Sequence, residues 1–284
     1  MSEYQTVQPE GLPLNERVRL LQSNEDGLVA IEKPAGLLSH PNRAEDIPRS
    51  ILRANYDYKN EYYFWKDDHG TEFRVWLVNR LDSPTSGVLL LALNEAINET
   101  AKQVFASHKA TKLYYALVRK KPAVNGGTWS DTLYKDLING KRVIQRGKRV
   151  PAKTYFQTVT SPIGGFPVAL LKLSPVTGRT HQLRIQCQKH GHPIVGDRNY
   201  GHFAFNKEVS QSTGHKRMFL HAAETRVNYT FKGKVRNFRA ESPLPDAFHD
   251  VIRFRPGMEP VEPFDPEESG QTSDKLEGRR FKGA

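Results

Sequence analysis

Short apolar runs rich in β-branched and aromatic residues, each closed by Gly, Pro or Asn, recur from Gly27 onward at residues 27–34, 87–93, 112–118, 152–159, 167–173, 216–222 and 225–231. Runs of this length and composition predict strands. Helical spacing is rarer. Ile97, Ala101, Val104 and Phe105 recur at i, i+4, i+7 and i+8, a stripe that lays one helical face on a sheet. A second helix is predicted from near Thr180 to Gly191, because Lys189 and His190 fill its last turn, Gly191 suits a left-handed cap and Pro193 follows. A third carries Phe248, Val251 and Ile252. Strand runs outnumber helical ones and do not alternate with them regularly. The expected fold is therefore α+β, with a mixed, largely antiparallel central sheet and flanking helices, rather than a doubly wound one.

Both ends break the pattern. Residues 1–26 lack a period, and residues 257–284 are rich in Pro, Glu, Gly, Asp and Lys with few apolar positions. They are read as an N-terminal extension and a polar, disordered tail around one domain spanning residues 27–256. Residues 55–76 are dense in aromatics and charges and admit two readings. They form either a hairpin whose rings pack on the sheet or a surface on which nucleic-acid bases stack.

Composition narrows the partners. A 284-residue chain that is 37% hydrophobic buries a substantial core, and 42 Lys and Arg against 31 Asp and Glu leave a formal charge of +11, which suits a polyanion. The single cysteine, Cys187, excludes an internal disulfide and any cysteine cluster, and it fits a reducing, cytoplasmic compartment. The N-terminus lacks the basic start and apolar run of a signal peptide, and no apolar stretch is long enough for a membrane span. His181, His190, His192, His202, His215 and His221 follow no metal-binding spacing. Ser86 sits in neither a GxSxG nor an SxxK motif, and residues 191–201 lack the P-loop pattern.

Two segments carry chemistry. In VNRLDSPTSGVLLLAL (78–93) a polar, turn-prone group directly precedes a strand, the usual setting of a catalytic loop. Asp82 is either a catalytic carboxylate there or a turn former beside Ser83 and Pro84. In SPVTGRTHQLRIQCQKHGHPIVGDRNYG (174–201) a helix would place His181 and Arg184 on one face and offer free N–H groups to an anion such as phosphate. The plainer reading is a capped amphipathic helix with solvated charges.

The segments IEKPAGLLSHP (31–41), RLDSPTSG (80–87), KLYYALV (112–118), TGRTHQLRIQ with GHPIVGDRNYG, and FLHA (219–222) resemble, in order, the sequence blocks of the RluA-like family of RNA pseudouridine synthases. The resemblance covers roughly residues 27–232. It implies the pseudouridine synthase catalytic fold and an isomerase that re-attaches uracil to ribose through C5 in ribosomal or transfer RNA. It makes Asp82 the catalytic aspartate, Tyr114 the active-site tyrosine with Tyr115 as the offset alternative, and Arg184 the basic partner of the aspartate. Arg80 matches the arginine that holds the space vacated by the target nucleotide. Arg179 and Lys33 become candidates for phosphate contacts, and His181 for substrate binding. No metal or cofactor is expected, the partner is structured RNA, and the protein is expected to be a monomer.

Two departures stand out. Asn79 replaces the histidine that many relatives have before RLD, which touches local hydrogen bonding and not the nucleophile. Only 26 residues precede Gly27, where the resemblance begins, so an N-terminal S4 domain is not expected. Either addition of the aspartate to C1′ or removal of the 2′ proton to give a glycal would serve the reaction, and the resemblance favours the glycal. A non-catalytic RNA-binding module on the same fold is the rival reading. A nucleosidase would call for a second, paired carboxylate.

Overall fold

The computed structural model describes residues 4–135, 137–138, 141–142 and 148–259. The first half of the chain supplies β1 (Arg19–Ser23), β2 (Leu28–Lys33), β3 (Asn55–Asp57), β4 (Tyr62–Lys66), β5 (Glu72–Leu77), β6 (Ser86–Ala92), α1 (Glu95–Ala106) and β7 (Thr111–Arg119). The second half supplies β8 (Gly126–Lys135), the short pair β9 (Leu137–Ile138) and β10 (Lys141–Arg142), β11 (Lys148–Thr160), β12 (Val168–Pro175) and α2 (Gln182–Lys189). It ends with α3 (Phe203–Thr213), β13 (Leu220–Phe231), β14 (Lys234–Glu241) and α4 (Asp246–Arg253).

All strands but β9 and β10 form one sheet, in the order β3-β4-β5-β6-β13-β7-β12-β11-β8, with β2 also on β6, β1 on β2 and β14 on β13. Every pairing in it is antiparallel except one. β13 lies parallel to β6 through His221 opposite Ser86 and Ala222 opposite Gly87, and this seam joins two wings of the sheet. The α+β, largely antiparallel fold expected from the sequence is the one observed.

Apolar alternation explains how the layers form. On β2 and β6, Leu28, Ala30, Val88 and Leu90 pack against the α1 stripe of Ile97, Ala101 and Val104. Their neighbours Val29, Ile31, Leu89 and Leu91 face the opposite side with Ile51, Leu52 and Tyr63. That is why residues 87–93 read as an unbroken apolar run. Asn94 starts α1 by accepting the Ile97 N–H at 3.0 Å. In the other wing, Leu171 and Leu173 meet Leu183 and Cys187 of α2. Leu117, Val168 and Leu170 meet α3 and α4 on the reverse face.

Several expectations need correction. The end of the run at 216–222 and the run at 225–231 belong to one strand, β13, which begins at Leu220 and has a register shift between Ala222 and Glu224. Helix α3 and strands β8 and β14 have no counterpart among the predicted runs. The residues before Gly27 are no appendage: β1 pairs with β2, and Val7, Leu12 and Val18 enter the core. Residues 55–76 form β3, β4 and β5, with Tyr63 and Trp76 buried, so the hairpin reading holds. The tail expected over 257–284 falls outside the described residues from position 260 onward. Among the described residues, no helix is long and apolar enough to cross a membrane.

Candidate active site

The segment around Asp82 is held from both sides before its carboxylate meets anything. Asn79 Oδ1 accepts the Leu90 N–H at 2.8 Å, tying the loop to β6; the residue that departs from the family pattern thus serves as an anchor. Ser39 Oγ donates to the Leu81 carbonyl at 2.7 Å and accepts the Leu81 N–H at 3.0 Å. On the far side the Gly36 N–H donates to the Ser83 carbonyl, and Ser83 Oγ donates to the Gly36 carbonyl at 3.0 Å. The loop turns back through Thr85 N–H to the Asp82 carbonyl. The KPAGLLS block is therefore the brace of the RLD loop, which gives a physical reason for finding both in one chain.

Lys33 completes that brace and leaves its expected role. The side chain is fully buried, and Nζ donates to the carbonyls of Leu37 (2.7 Å), Ser83 (2.9 Å) and Pro34 (3.0 Å). An ammonium has three protons, and all are engaged. Burial pushes its pKa down to about 7 against the pull of the Asp82 charge. Lys33 is a loop clamp and not a phosphate contact.

Asp82 opens into a cleft of about 730 Å³ at the seam of the two wings, lined also by Arg80, Lys112, Tyr114, Arg179, His181 and Arg184. Its Oδ2 accepts from Arg184 Nη1 at 2.9 Å, 102 residues later in the chain. Arg184 reaches it from α2, which is buried along Gln182, Leu183, Arg184, Gln186 and Cys187. The solvated-helix reading is thus overturned. The guanidinium is aimed by Asp197: Nε donates to Oδ2 at 2.7 Å and Nη2 to Oδ1 at 3.0 Å, a two-bond fork. Asp197 Oδ1 also accepts the N–H groups of Asn199 (2.8 Å) and Tyr200 (3.0 Å). Burial opposes the charges of both residues. Their mutual hydrogen bonds outweigh it, holding Arg184 above and Asp197 below its ordinary pKa.

Tyr114, and not Tyr115, faces Asp82. Tyr115 packs into the opposite layer with Leu117 and Phe219. Burial, reinforced by the Asp82 charge, pushes the Tyr114 phenol above its ordinary value. His181 has a left-handed backbone (φ 53°), with Nδ1 at 3.1 Å from the Tyr200 hydroxyl and Nε2 at 3.6 Å from Asp82 Oδ2. Burial pulls its pKa down against the Asp82 charge, so at neutral pH it faces the carboxylate as a neutral ring. Arg80 is exposed at the mouth, with Nη1 at 3.4 Å from His40 Nε2. Arg179 lies at the rim, its Nε donating to the Pro151 carbonyl at 3.1 Å.

Asp197, Ser39 and Lys112 join the site although no motif in the sequence assigns them a role. Asp197 had a faint signal inside the quoted GDRNYG run: Gly196 before it adopts φ +76°, and a Cβ there would lie 1.9 Å from the Arg217 carbonyl oxygen.

The model of the RNA pseudouridylate synthase family matches residues 27–189. The tRNA pseudouridine synthase C of Pectobacterium carotovorum subsp. carotovorum is 31% identical over 230 residues, covering 78% of this chain and 58% of that protein. The tRNA pseudouridine synthase C of Yersinia pestis is 33% identical over 224 residues, 74% of this chain and 81% of that protein. The ribosomal large subunit pseudouridine synthase C of Rickettsia felis is 34% identical over 224 residues, 78% of this chain and 66% of that protein. In fold, the chain is similar to the solved structure of human RNA Pseudouridylate Synthase Domain Containing 1, with a TM-score of 0.59 at 24% identity over 85% of this chain and 89% of the other. On the family match and these identities, the chain belongs to the RNA pseudouridylate synthase family, as its RluA-like sequence blocks imply.

Proposed function

We propose that this protein isomerises uridine to pseudouridine in a structured ribosomal or transfer RNA, with Asp82 as the reacting carboxylate. The observation that carries the reading is the pair formed by Asp82 and Arg184 at 2.9 Å in a cleft walled by Tyr114. An ionised carboxylate beside a fixed cation is suited to an oxocarbenium-like ribose, the electronic problem that glycosidases solve in the same way.

The reaction breaks the N1–C1′ bond, turns the uracil and joins C5 to C1′. On the glycal route Asp82 takes the C2′ proton, that C–H pair becomes the C1′–C2′ double bond, and the N1–C1′ pair leaves with the uracil anion. C5 then attacks C1′, C2′ regains its proton, and C5 loses its own. On the covalent route Asp82 bonds to C1′ until C5 displaces it. No electron is gained or lost overall and no group is added, so the chemistry calls for no redox or group-carrying cofactor. The Tyr114 ring offers a face for the uracil, and its hydroxyl, held protonated, relays a proton and does not act as a free base. The uridine has to leave its stack to reach Asp82, and Arg80 at the mouth is placed to fill the gap.

A non-catalytic module would have little use for Asp197, whose buried carboxylate holds Arg184 toward the open face of Asp82. The test is Asp82→Asn, which keeps the shape but supplies neither nucleophile nor base. Tritium release from RNA carrying 5-tritiated uridine should fall below about one per cent of wild type with RNA affinity within several-fold. Turnover above that level removes Asp82 from its role. The names of the relatives divide between transfer and large-subunit ribosomal RNA. Mapping pseudouridine in total RNA with and without this gene decides between them.

A further inference from the structure

Charge is compensated almost everywhere in this cleft. Asp82, Arg184, Asp197 and Lys33 each have polar partners within hydrogen-bond distance. Lys112 on β7 lines the same cleft and differs. Its Nζ has no hydrogen bond or ion pair among the described residues, and it lies over the face of Phe105, 5.9 Å from the ring centroid. Burial lowers its pKa with no neighbouring charge to offset the effect. A desolvated ammonium without a partner is costly, and a polar group left so in a folded protein calls for an explanation.

Its position suggests what is missing. Side chains two apart on a strand share a face, so Lys112 stands beside Tyr114, about 7 Å along β7. Gly178 lies beside the amine: an added Cβ there would lie 3.5 Å from Nζ, so the missing side chain keeps that approach to the amine open. Arg179, the next residue, also lines the cleft. In a nucleotide the ribose separates the base from its flanking phosphates by a comparable span.

We infer that Lys112 seats a phosphate flanking the target uridine, with the uracil on Tyr114 and the phosphate on the amine. The inference rests on the synthase reading for the identity of the base, while the anion site stands on the uncompensated amine.

Wild type, Lys112→Met and Lys112→Arg are titrated at low salt with uridine, uridine 5′-monophosphate and uridine 3′-monophosphate. Wild type should bind one of the two monophosphates roughly tenfold tighter than uridine, the scale of one charge-assisted contact, and which one tells the side of the phosphate. Lys112→Met should lower that affinity to the level of uridine and leave uridine binding unchanged, while Lys112→Arg keeps part of the preference. The thermal midpoint of Lys112→Met should equal or exceed wild type, since its removed charge had no partner in the free protein. The proposal is overturned by equal or undetectable binding of all three ligands to wild type, or by a preference that survives Lys112→Met. A loss of uridine affinity as large as that of the nucleotide, with a lowered midpoint, also overturns it, because Lys112 would then be a structural prop. Failure of the synthase reading shows separately: continued tritium release by Asp82→Asn would leave the nucleotide preference intact.

Discussion

Arg184 serves two carboxylates, and geometry ranks them. Asp197 takes two of its N–H groups in a fork inside the protein, while Asp82 takes one and keeps 28% of its side chain exposed to the cleft. Asp197 is thus the permanent partner, and Asp82 stays free to turn toward a ribose. Asp197→Asn should cost about 3–5 kcal/mol in urea unfolding, because it leaves a buried cation half-paired. It should also slow single-turnover catalysis, since Arg184 loses its alignment. The acid side of the stability curve gives an independent check. A carboxyl whose pKa lies below its ordinary 3.8 in the folded state contributes stability that is fully present above 3.8 and lost as pH falls through the lower, folded value. The wild-type urea midpoint should drop through that range more steeply than that of Asp197→Asn, and parallel curves would mean that Asp197 carries no such load.

The seam between β6 and β13 is the element on which the site depends, because Asp82 lies a few residues upstream of the point where the strands meet. Gly87 adopts φ +114°, and a Cβ there would lie 2.2 Å from the Ala222 carbonyl oxygen. Gly87→Ala should therefore destabilise the protein by roughly 3 kcal/mol or more and depress activity together with stability, measurable by urea unfolding and tritium release. Beside it runs a buried chain in which Arg217 Nη2 donates to Ser86 Oγ at 2.6 Å, the Ser86 hydroxyl to His221 Nδ1 at 2.8 Å, and His221 Nε2 to the Ser242 carbonyl at 3.1 Å. Burial pushes the His221 pKa down to about 4 from 6.5. The unfolded chain takes up that proton more readily than the folded one, so stability is fully present above pH 6.5 and is lost as pH falls from there to about 4. The loss should be on the order of 2–3 kcal/mol and absent from His221→Asn; an equal slope in both proteins would rule out His221 as its source.

Legibility in the sequence followed the same elements. The run at 87–93 was plain because β6 is buried on both faces. Strand β14 buries little more than Phe238 and Ala240, and α3 presents only Phe205, Val209 and Thr213, too few positions to make a period stand out. Before Gly27, Val7, Leu12 and Val18 enter the core singly, each from irregular chain. Asp82 and Arg184 were carried by motif blocks. The clamp role of Lys33 is not legible locally, because one of its carbonyl partners, Ser83, lies 50 residues away.

At the scale of the whole molecule the formal charge of +11 sets how RNA arrives, and the cleft sets what happens next. Each phosphate contact that releases a counterion should lower affinity by roughly 0.7 to 0.9 decades per decade of salt, a slope shared among many surface cations. Arg184 stands outside that group. Its guanidinium is buried and already spent on Asp197 and Asp82, so Arg184→Ala should leave the salt slope of RNA binding close to wild type while reducing the chemical step. Arg80 is exposed at the mouth, and Arg80→Ala should impair docking of the flipped uridine. Single-turnover kinetics at two salt concentrations, with enzyme in excess over RNA, separate the two. For Arg80→Ala, raising the enzyme concentration should recover part of the rate. For Arg184→Ala it should recover little, because the defect persists in the bound complex. If saturating enzyme restored the full rate to Arg184→Ala and its salt slope fell by about one contact, Arg184 would be a phosphate ligand, and its bond to Asp82 would play no part in the reaction.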